Sequence, residues 1–323
     1  MSGVSTQQAQ WADLDDDALA VQVARRFYID DRSKSEIAAE LKLSRFKVAR
    51  VLDRARRDGI VKISVSAPDL VDTQLSRRLQ DAYGLRHAVV VGVFDADDAE
   101  LRGYLGQATA DLLPGIVRPE DTLGLGWARS VLAAAARLRT IAPCRVVQLT
   151  GSLDRPEAEL GSVELVRRVA DLGGGTALSY HVPMFVADSH VAAALRFEPQ
   201  VARAMQAYPE VTVALVGVGG WNPPASTLHE VLTPPERAAI LREHVHADIS
   251  GVFIDRDGRP VQTAVSDRII GIDAAALRAI PHTIAVAYGH DKVDAVRAAI
   301  RGGYVDSLVT HASFAERLLD VAA

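Results

Sequence analysis

Basic side chains recur at helical spacing in the stretch that follows residue 44. Arginine and lysine bind phosphate oxygens, and arginine also reads guanine edges in the major groove of DNA. The first residues of a helix lying in that groove reach the bases, whereas later residues meet the phosphate backbone. We therefore expect Arg45, Phe46, Lys47 and Arg50 to lie in the groove. Contacts to the DNA backbone are expected from Arg54, Arg57 and Lys62.

Two short helices joined by a turn would position these side chains. Ser33 and Glu36 form the capping-box signal of the first helix, Ser44 can cap the second, and Gly59 ends it. Each helix also carries one apolar face: Ile37, Ala38 and Leu41 in the first, and Val48, Val51, Leu52 and Ala55 in the second. With a supporting helix over residues 14–29 and a short strand or wing over residues 60–65, this spacing predicts a helix-turn-helix domain.

The charge of this stretch differs in sign from that of the whole chain. Residues 32–62 contain ten basic and four acidic side chains, a net charge of +6, whereas the chain of 323 residues carries −5. A basic segment in an acidic protein indicates a localised phosphate-binding surface. The alternative is the solvated face of an ordinary helical domain, but the two-helix spacing and the caps favour double-stranded DNA as the partner.

A second group of candidate residues lies where predicted strands end and helices begin. Ligands of an open parallel sheet bind beyond the carboxyl ends of its strands. Glycines there allow tight turns, a helix N-terminus suits a phosphate, and carboxylates accept hydrogen bonds from sugar hydroxyls. The candidate effector-binding residues are Gly124, Gly126, Arg129, Ser130, Gly217, Gly219, Asp255 and Lys292.

Each of these residues also has a purely structural interpretation. Glycines at strand–helix turns often serve packing, Asp255 lies beside an Asp257-Gly258 turn, and Lys292 could be an ordinary surface lysine. Lys292 is nevertheless the one lysine after residue 62. The sequence has no metal-ligand spacing, no Gly-x-Ser-x-Gly motif and no Walker loop, so we expect neither a metal nor a cofactor.

The second part of the chain alternates apolar, β-branched runs with helical segments. Strands are predicted near residues 87–94, 122–126, 145–151, 211–220, 249–255, 283–289 and 307–310. Such alternation predicts an α/β fold with a doubly wound, mostly parallel, Rossmann-like sheet. We expect a DNA-binding domain over residues 1–67, a linker or oligomerisation helix over 68–84 and an effector-binding domain over 85–323. The helix over residues 69–83 has a narrow apolar stripe, which suits self-association and docking on the next domain equally.

The composition indicates an intracellular globular protein. No run of about 18 apolar residues exists, so no membrane span is expected, and the acidic N-terminus does not resemble a signal peptide. The single cysteine, Cys144, excludes an internal disulfide and is typical of a reducing cytoplasm.

Six ordered stretches resemble the SorC/DeoR-type sugar-responsive transcriptional regulators. They include the helix-turn-helix segment, GLGWARS, VVQLTGS, VALVGVGG, FIDRDGRPV and the segment from IPHTIAVAYGHDK to SLVT. The resemblance implies a winged-helix-like DNA-binding domain and an effector domain related to phosphosugar isomerases. It also implies a homo-oligomer, a dimer or tetramer, on palindromic operators, with a sugar or phosphosugar as the effector.

The resemblance also implies roles for particular residues. Gly126, Arg129 and Ser130 match a phosphate-facing loop, Asp255 an effector-binding acid and Lys292 a phosphate-binding lysine. The sequence departs from the family pattern near the same residues: Ala128 and Ser130 replace Gly and Thr, Tyr288 replaces a glycine, and His311 replaces an Asp.

Two other functions are compatible with the same residues. An enzyme of the sugar-phosphate isomerase or deaminase type would need a general base beside the sugar carbon. Asp255 could serve as that base, but no second acid–base partner is evident near it. Alternatively, the second domain could oligomerise a DNA-binding protein without responding to any ligand.

Overall fold

The computed structural model describes residues 16–61, 70–93, 96–153 and 161–320 of the chain. The chain folds into two compact units, Met1–Pro68 and Asp69–Ala323. In the described residues no helix is long and apolar enough to cross a membrane. The same residues contain no group of three or more His, Cys, Asp or Glu side chains that could hold a metal ion.

Three helices form the described part of the first unit: α1 (Asp16–Tyr28), α2 (Lys34–Glu40) and α3 (Arg45–Arg57). All three contribute to one small apolar core, whose buried members are Ala20, Val23, Ala24, Ile37, Ala38, Leu41, Val48, Leu52 and Ala55. The predicted pair of helices and its supporting helix are thus confirmed. The predicted wing lies outside the described residues, apart from Ile60 and Val61, which form no strand.

Eleven strands lie in the described part of the second unit. They are β1 (His87–Val91), β2 (Thr122–Leu125), β3 (Arg145–Gln148), β4 (Thr176–Leu178), β5 (Val213–Val216), β6 (Val218–Trp221), β7 (Pro224–Ala225), β8 (Ala247–Ile249), β9 (Val252–Ile254), β10 (His282–Val286) and β11 (Ser307–His311). Seven of them form a parallel sheet in the order β1-β11-β10-β5-β2-β3-β4.

Helices cover both faces of the parallel sheet. In β5, Val213 and Leu215 belong to one apolar core, whereas Ala214 and Val216 belong to another. Successive side chains of a strand point to opposite faces, so the sheet is buried on both sides. The predicted doubly wound α/β domain is confirmed. The helices of this unit are α4 (Thr73–Tyr83), α5 (Asp98–Ile116), α6 (Arg129–Arg137), α7 (Ser162–Gly173), α8 (Ser189–Arg196), α9 (Pro199–Gln206), α10 (Thr227–Val231), α11 (Pro234–Arg242), α12 (Ala274–Ala279), α13 (Val293–Arg301) and α14 (Ala312–Asp320).

The other four strands form an antiparallel sheet in the order β7-β6-β8-β9. The prediction of one strand over residues 211–220 is wrong, because β5 ends at Val216 and β6 begins at Val218 in the second sheet. The strand predicted over residues 249–255 is likewise divided between β8 and β9, which reverse direction at Ser250 and Gly251. Every residue of β5, β6, β8 and β9 is buried, so the apolar pattern could not reveal the two changes of direction.

Helix α4 docks on the rest of the second unit. Leu75 and Leu79 are buried in its main core, and the Tyr83 hydroxyl donates a hydrogen bond of 2.5 Å to the carbonyl of Leu318 in α14. The Ser76 hydroxyl accepts a hydrogen bond of 2.9 Å from the Val90 amide of β1. Of the two roles predicted for the apolar stripe, docking is therefore the one that Leu75 and Leu79 serve.

We expect Leu79→Ala to destabilise the second unit by about 2–5 kcal/mol, because Leu79 is fully buried and its removal leaves a cavity. Gln74→Ala, an exposed position on the same helix, should change stability by less than about 0.5 kcal/mol. Denaturant unfolding followed by tryptophan fluorescence measures both, since Trp127 and Trp221 lie in this unit. Equal stability of the two variants would contradict the docking of α4.

Candidate functional site

Helix α3 is fixed at its start by side-chain caps. The Ser44 hydroxyl accepts a hydrogen bond of 3.1 Å from the Lys47 amide. In the preceding helix α2, Ser33 and Glu36 form both hydrogen bonds of a capping box, at 3.2 and 2.8 Å. These bonds hold the pKa of the Glu36 carboxyl below its ordinary value. Side-chain caps of this kind fix the residue at which a helix begins. They therefore also determine which side chains of α3 lie in its first turn.

The face of α3 opposite the small core carries exposed basic and aromatic side chains. Arg45, Phe46, Lys47 and Arg50 are all exposed, and so is Arg57 at the other end of the helix. The Phe46 side chain is 83% exposed. An aromatic ring in water among basic residues provides apolar contact for a partner surface. The structure therefore exposes five of the seven predicted DNA-binding residues to solvent.

The other two predicted DNA-binding residues differ from this group. Arg54 is half-buried and forms ion pairs with Asp17 of α1 at 2.9 Å and with Asp58 at 3.0 Å. The bond to Asp17 connects α3 to its supporting helix, so Arg54 has a role in packing as well as any role in phosphate contact. Lys62 lies outside the described residues.

A cavity of about 280 Å³ lies in the second unit, at the carboxyl ends of three adjacent strands. Residues 127–130 follow β2, Gly217 follows β5, and residues 288 and 289 follow β10. Strands β6 and β8 of the antiparallel sheet supply Gly219 and Asp248 to its lining. This is the edge at which ligands bind in open α/β sheets, and the volume suits a small molecule.

The carboxylate of Asp248 is buried in the cavity wall. Its Oδ1 accepts hydrogen bonds from the Trp221 indole nitrogen, at 2.9 Å, and from the Ser226 hydroxyl. Gly219 lies directly opposite Asp248 in the β6–β8 ladder, and a Cβ at Gly219 would collide with this carboxylate oxygen. Burial raises the pKa of Asp248, although both hydrogen bonds and the positive charge of Lys292 act in the other direction.

Lys292 brings a positive charge to the same cavity. Its ammonium lies 5.4 Å from the centroid of the Tyr288 ring, close enough for a cation–π contact. Within the described residues no carboxylate forms an ion pair with it at 4 Å or less. Burial lowers the pKa of Lys292, and the negative charge of Asp248 partly offsets that effect. Because no carboxylate of the described residues pairs with it, the ammonium is available to donate hydrogen bonds to a ligand.

Two neutral polar groups in the lining also lack partners. The indole nitrogen of Trp127 and the hydroxyl of Ser250 are buried without a hydrogen bond among the described residues. Ser250 adopts a left-handed backbone conformation, with φ of 51°, in the two-residue turn between β8 and β9. Gly251 also has a positive φ, of 85°, so the backbone conformation is that of a two-residue hairpin turn, and the unpaired hydroxyl is the feature that suits a ligand.

The N-terminus of α6 forms another part of the lining. Ala128 stands at its N-cap and provides no side-chain hydrogen bond. The Arg129 guanidinium forms an ion pair of 2.9 Å with Glu230 of α10, and the Ser130 hydroxyl donates to the carbonyl of Val286 at 3.0 Å. Both predicted side chains are therefore in the cavity lining but are already bonded to other parts of the chain.

Comparison with known proteins identifies the family. Residues 70–320 match the model of the Sugar-bind family, a sugar-binding domain. The sorbitol operon regulator of Klebsiella pneumoniae is 30% identical over 321 residues, covering 94% of this chain and 98% of the relative. The deoxyribonucleoside regulator of Bacillus subtilis is 26% identical over 304 residues, covering 94% and 97%.

The crystal structure of the full-length sorbitol operon regulator from Klebsiella pneumoniae superposes with a TM-score of 0.71. The superposition covers 95% of this chain and all of that one, at 25% identity. This chain belongs to the SorC-type sugar-binding transcriptional regulators. The predicted family is thus confirmed, and the relatives are regulators rather than enzymes.

In this SorC-type regulator, five of the eight predicted effector-binding residues line the cavity: Arg129, Ser130, Gly217, Gly219 and Lys292. Gly124 and Gly126 do not. A Cβ at Gly124 would lie 2.9 Å from the side chain of Leu149, and one at Gly126 would collide with the Ser250 hydroxyl. Both glycines allow close packing against these side chains, in agreement with their purely structural interpretation.

Asp255, a third predicted residue, also lies elsewhere. Asp255 is not in the lining, and its Oδ1 accepts hydrogen bonds from the amides of Asp257 and Arg259 at 2.9 and 2.8 Å. It is therefore the acid of a tight turn, in agreement with its purely structural interpretation. The acid in the cavity wall is Asp248, seven residues earlier in the chain.

Several polar side chains of the lining were not predicted from the sequence, among them Trp127, Glu230, Asp248 and Ser250. Trp127 adjoins the predicted Gly126 and Ser250 lies within a predicted strand, but no periodic signal distinguishes either residue. Asp248 could have been found from its setting, since an acid inside the apolar run 247–249 must be paired when buried. Glu230 lies on a short helix that the sequence did not predict.

His311, one of the departures from the family pattern, lies at the end of β11 outside the cavity lining. It is buried, its Nδ1 lies 3.2 Å from the Ser313 hydroxyl, and its Nε2 has no partner among the described residues. His290 faces it with ring centroids 6.1 Å apart. Burial, together with the positive charge of His290, lowers the pKa of His311 to about 4.

We expect His311 to make the folded protein less stable as the pH falls from about 6.5 to about 4, because the unfolded chain binds the proton in that range and the folded chain does not. The contribution of this one group approaches about 1.4 kcal/mol per pH unit. His311→Gln should make the pH dependence of the unfolding free energy shallower in that range. His181→Gln, at an exposed position, is the control and should keep the wild-type slope. Identical slopes for wild type and His311→Gln would contradict the expectation.

Proposed function

We propose that this SorC-type regulator binds operator DNA through helix α3. We further propose that a sugar or a sugar derivative, bound in the cavity at the carboxyl ends of β2, β5 and β10, controls the affinity for DNA. One observation carries the proposal. The chain that has an exposed basic face on a capped helix-turn-helix also has a cavity whose buried donors lack partners among the described residues. The first feature suits phosphates and base edges, and the second suits a small polar molecule.

Within the proposed interface, side chains near the start of α3 read the bases. Arg45, Phe46, Lys47 and Arg50 are exposed there, whereas Arg54 is held by its ion pair with Asp17. Arg57, at the other end of the helix, would bind phosphate. The positive charge of this face would make the affinity fall steeply with salt concentration.

The effector would act by binding two states of the protein with different affinities. A ligand that prefers one state shifts the operator affinity by the difference in its binding free energies, typically about 1–3 kcal/mol. The relatives carry sorbitol and deoxyribonucleoside in their names, which supports a carbohydrate-type effector here.

We further propose that the protein acts as a homo-oligomer, a dimer or a tetramer. Helix-turn-helix domains bind half-sites one or more helical turns apart, and a symmetric oligomer supplies two such domains in that spacing. Palindromic operator sequences are the expected consequence.

We expect Arg50→Ala to lower the affinity for operator DNA by about 1–3 kcal/mol and to relax base preference at one position of each half-site. Arg57→Ala, the matched variant at the other end of α3, should weaken operator and unrelated DNA by similar factors. Fluorescence anisotropy with an operator selected in vitro by the full-length protein measures both. Equal losses on operator and unrelated DNA for both variants would contradict the assignment of Arg50 to the groove.

We expect Lys292→Ala to remove the effector response and to leave DNA binding without effector unchanged, because the residue lies in the cavity and not in the first unit. A screen of the full-length protein for thermal stabilisation by sugars, polyols and their phosphates identifies the effector. The change in operator affinity that it causes, about 5–150-fold, is then measured for wild type and variant. Arg203→Ala, an exposed basic position outside the cavity, is the control. An undiminished response in Lys292→Ala would exclude this cavity.

A further inference from the structure

The described lining of the cavity contains more acidic than basic side chains. The acidic ones are Asp98, Glu230, Asp248 and Asp291, and the basic ones are Arg129 and Lys292. Each basic group also faces a negative charge already, since Arg129 pairs with Glu230 and Asp248 attracts the ammonium of Lys292. A phosphate ester would bring up to two further negative charges against this lining, and like charges in a partly buried site repel strongly.

The helix end that could bind a phosphate is also committed elsewhere. The Ser130 hydroxyl gives its proton to the carbonyl of Val286, so it can offer a ligand only an acceptor. The Arg129 guanidinium would have to leave Glu230 before it could bind an anion. Losing that pair would leave the carboxylate of Glu230 beside the incoming negative charge.

The groups that lack partners among the described residues are suited to hydroxyls. The Trp127 indole nitrogen donates one hydrogen bond, and the Ser250 hydroxyl can donate or accept. Both residues are at least nine-tenths buried, with 8% and 9% of their surface exposed. A ligand hydroxyl that displaces the groups packed over these two buried atoms would satisfy each of them, and the rings of Trp127 and Tyr288 offer apolar faces for C–H groups. Carboxylates in the lining can accept hydrogen bonds from further hydroxyls.

We propose that the effector is an uncharged sugar or polyol, held through Trp127, Ser250 and the carboxylates of the lining, and that its phosphate ester binds more weakly. This inference rests on the proposed function, because it names the ligand class of the same cavity. The cavity of about 280 Å³ lies at the small end of ligand sites, which suits a chain or ring of about four to six carbons.

The test is isothermal titration of the full-length protein with matched pairs. The compounds are D-sorbitol, D-mannitol, D-arabitol, L-sorbose and D-ribose, each beside its monophosphate. We expect at least one free compound to bind, and its monophosphate to bind at least about tenfold more weakly, a difference of about 1.4 kcal/mol. A monophosphate that binds more tightly than its free partner would overturn the inference.

Two variants show whether charge and hydroxyl recognition cause the preference. Glu230→Gln removes one negative charge and releases Arg129, so the ratio of monophosphate to free-compound affinity should rise about fivefold. Ser250→Ala should weaken the free compound about tenfold, because one buried hydrogen bond is lost. Ser189→Ala, at an exposed position outside the cavity, is the control for Ser250→Ala and should bind like wild type. An unchanged ratio in Glu230→Gln would contradict the role of the acidic lining.

The outcomes separate this inference from the proposed function. Tight binding of a monophosphate that is lost in Lys292→Ala would retain the proposed function and exclude the neutral effector. If no compound of either class bound while operator binding persisted, both the neutral effector and the effector-controlled part of the proposed function would be wrong. Operator binding itself is tested separately by Arg50→Ala.

Discussion

The ligand-binding unit depends on a buried carboxylate, that of Asp248. A buried charge must be paired or hydrogen-bonded, and Trp221 and Ser226 supply the donors. The chain leaves the parallel sheet after β5, and β6 pairs with β8, which brings Trp221 to Asp248. Gly219 has no side chain and so leaves space for the carboxylate. The antiparallel sheet therefore forms one wall of the cavity, and the hydrogen bonds of Asp248 with Trp221 and Ser226 fix the position of that wall.

The two units use positive charge in opposite ways. On α3 the guanidinium groups of Arg45, Arg50 and Arg57 are exposed, so their field reaches into solvent and can attract DNA over about a Debye length. In the cavity Arg129 is paired and Lys292 is half-buried beside an aromatic ring. In the proposed effector site these charges would decide at short range which ligand is accepted, because each unmatched charge is costly in a low dielectric.

The segment that follows the DNA-binding unit in the chain is built into the core of the ligand-binding unit. Leu75 and Leu79 of α4 are buried there. The Tyr83 hydroxyl donates a hydrogen bond to α14, and Arg297 of α13 donates one of 3.4 Å to the same hydroxyl. Helix α13 begins directly after Lys292 in the cavity lining. A ligand that shifts the start of α13 can thus alter the packing of α4 through contiguous contacts, since packed elements tend to occupy discrete arrangements.

The local features of this protein are determined by its sequence. Caps at Ser33 and Ser44, helical periodicity and the alternation of buried strands with helices depend on neighbouring residues, and each was predictable. The wall of the cavity was decided by tertiary structure alone. A fully buried apolar run looks the same whether it continues or turns back, so the break at Gly217 and the turn at Ser250 left no periodic signal. For that reason the sequence favoured Asp255, the acid of a turn, whereas pairing between β6 and β8 places Asp248 in the site.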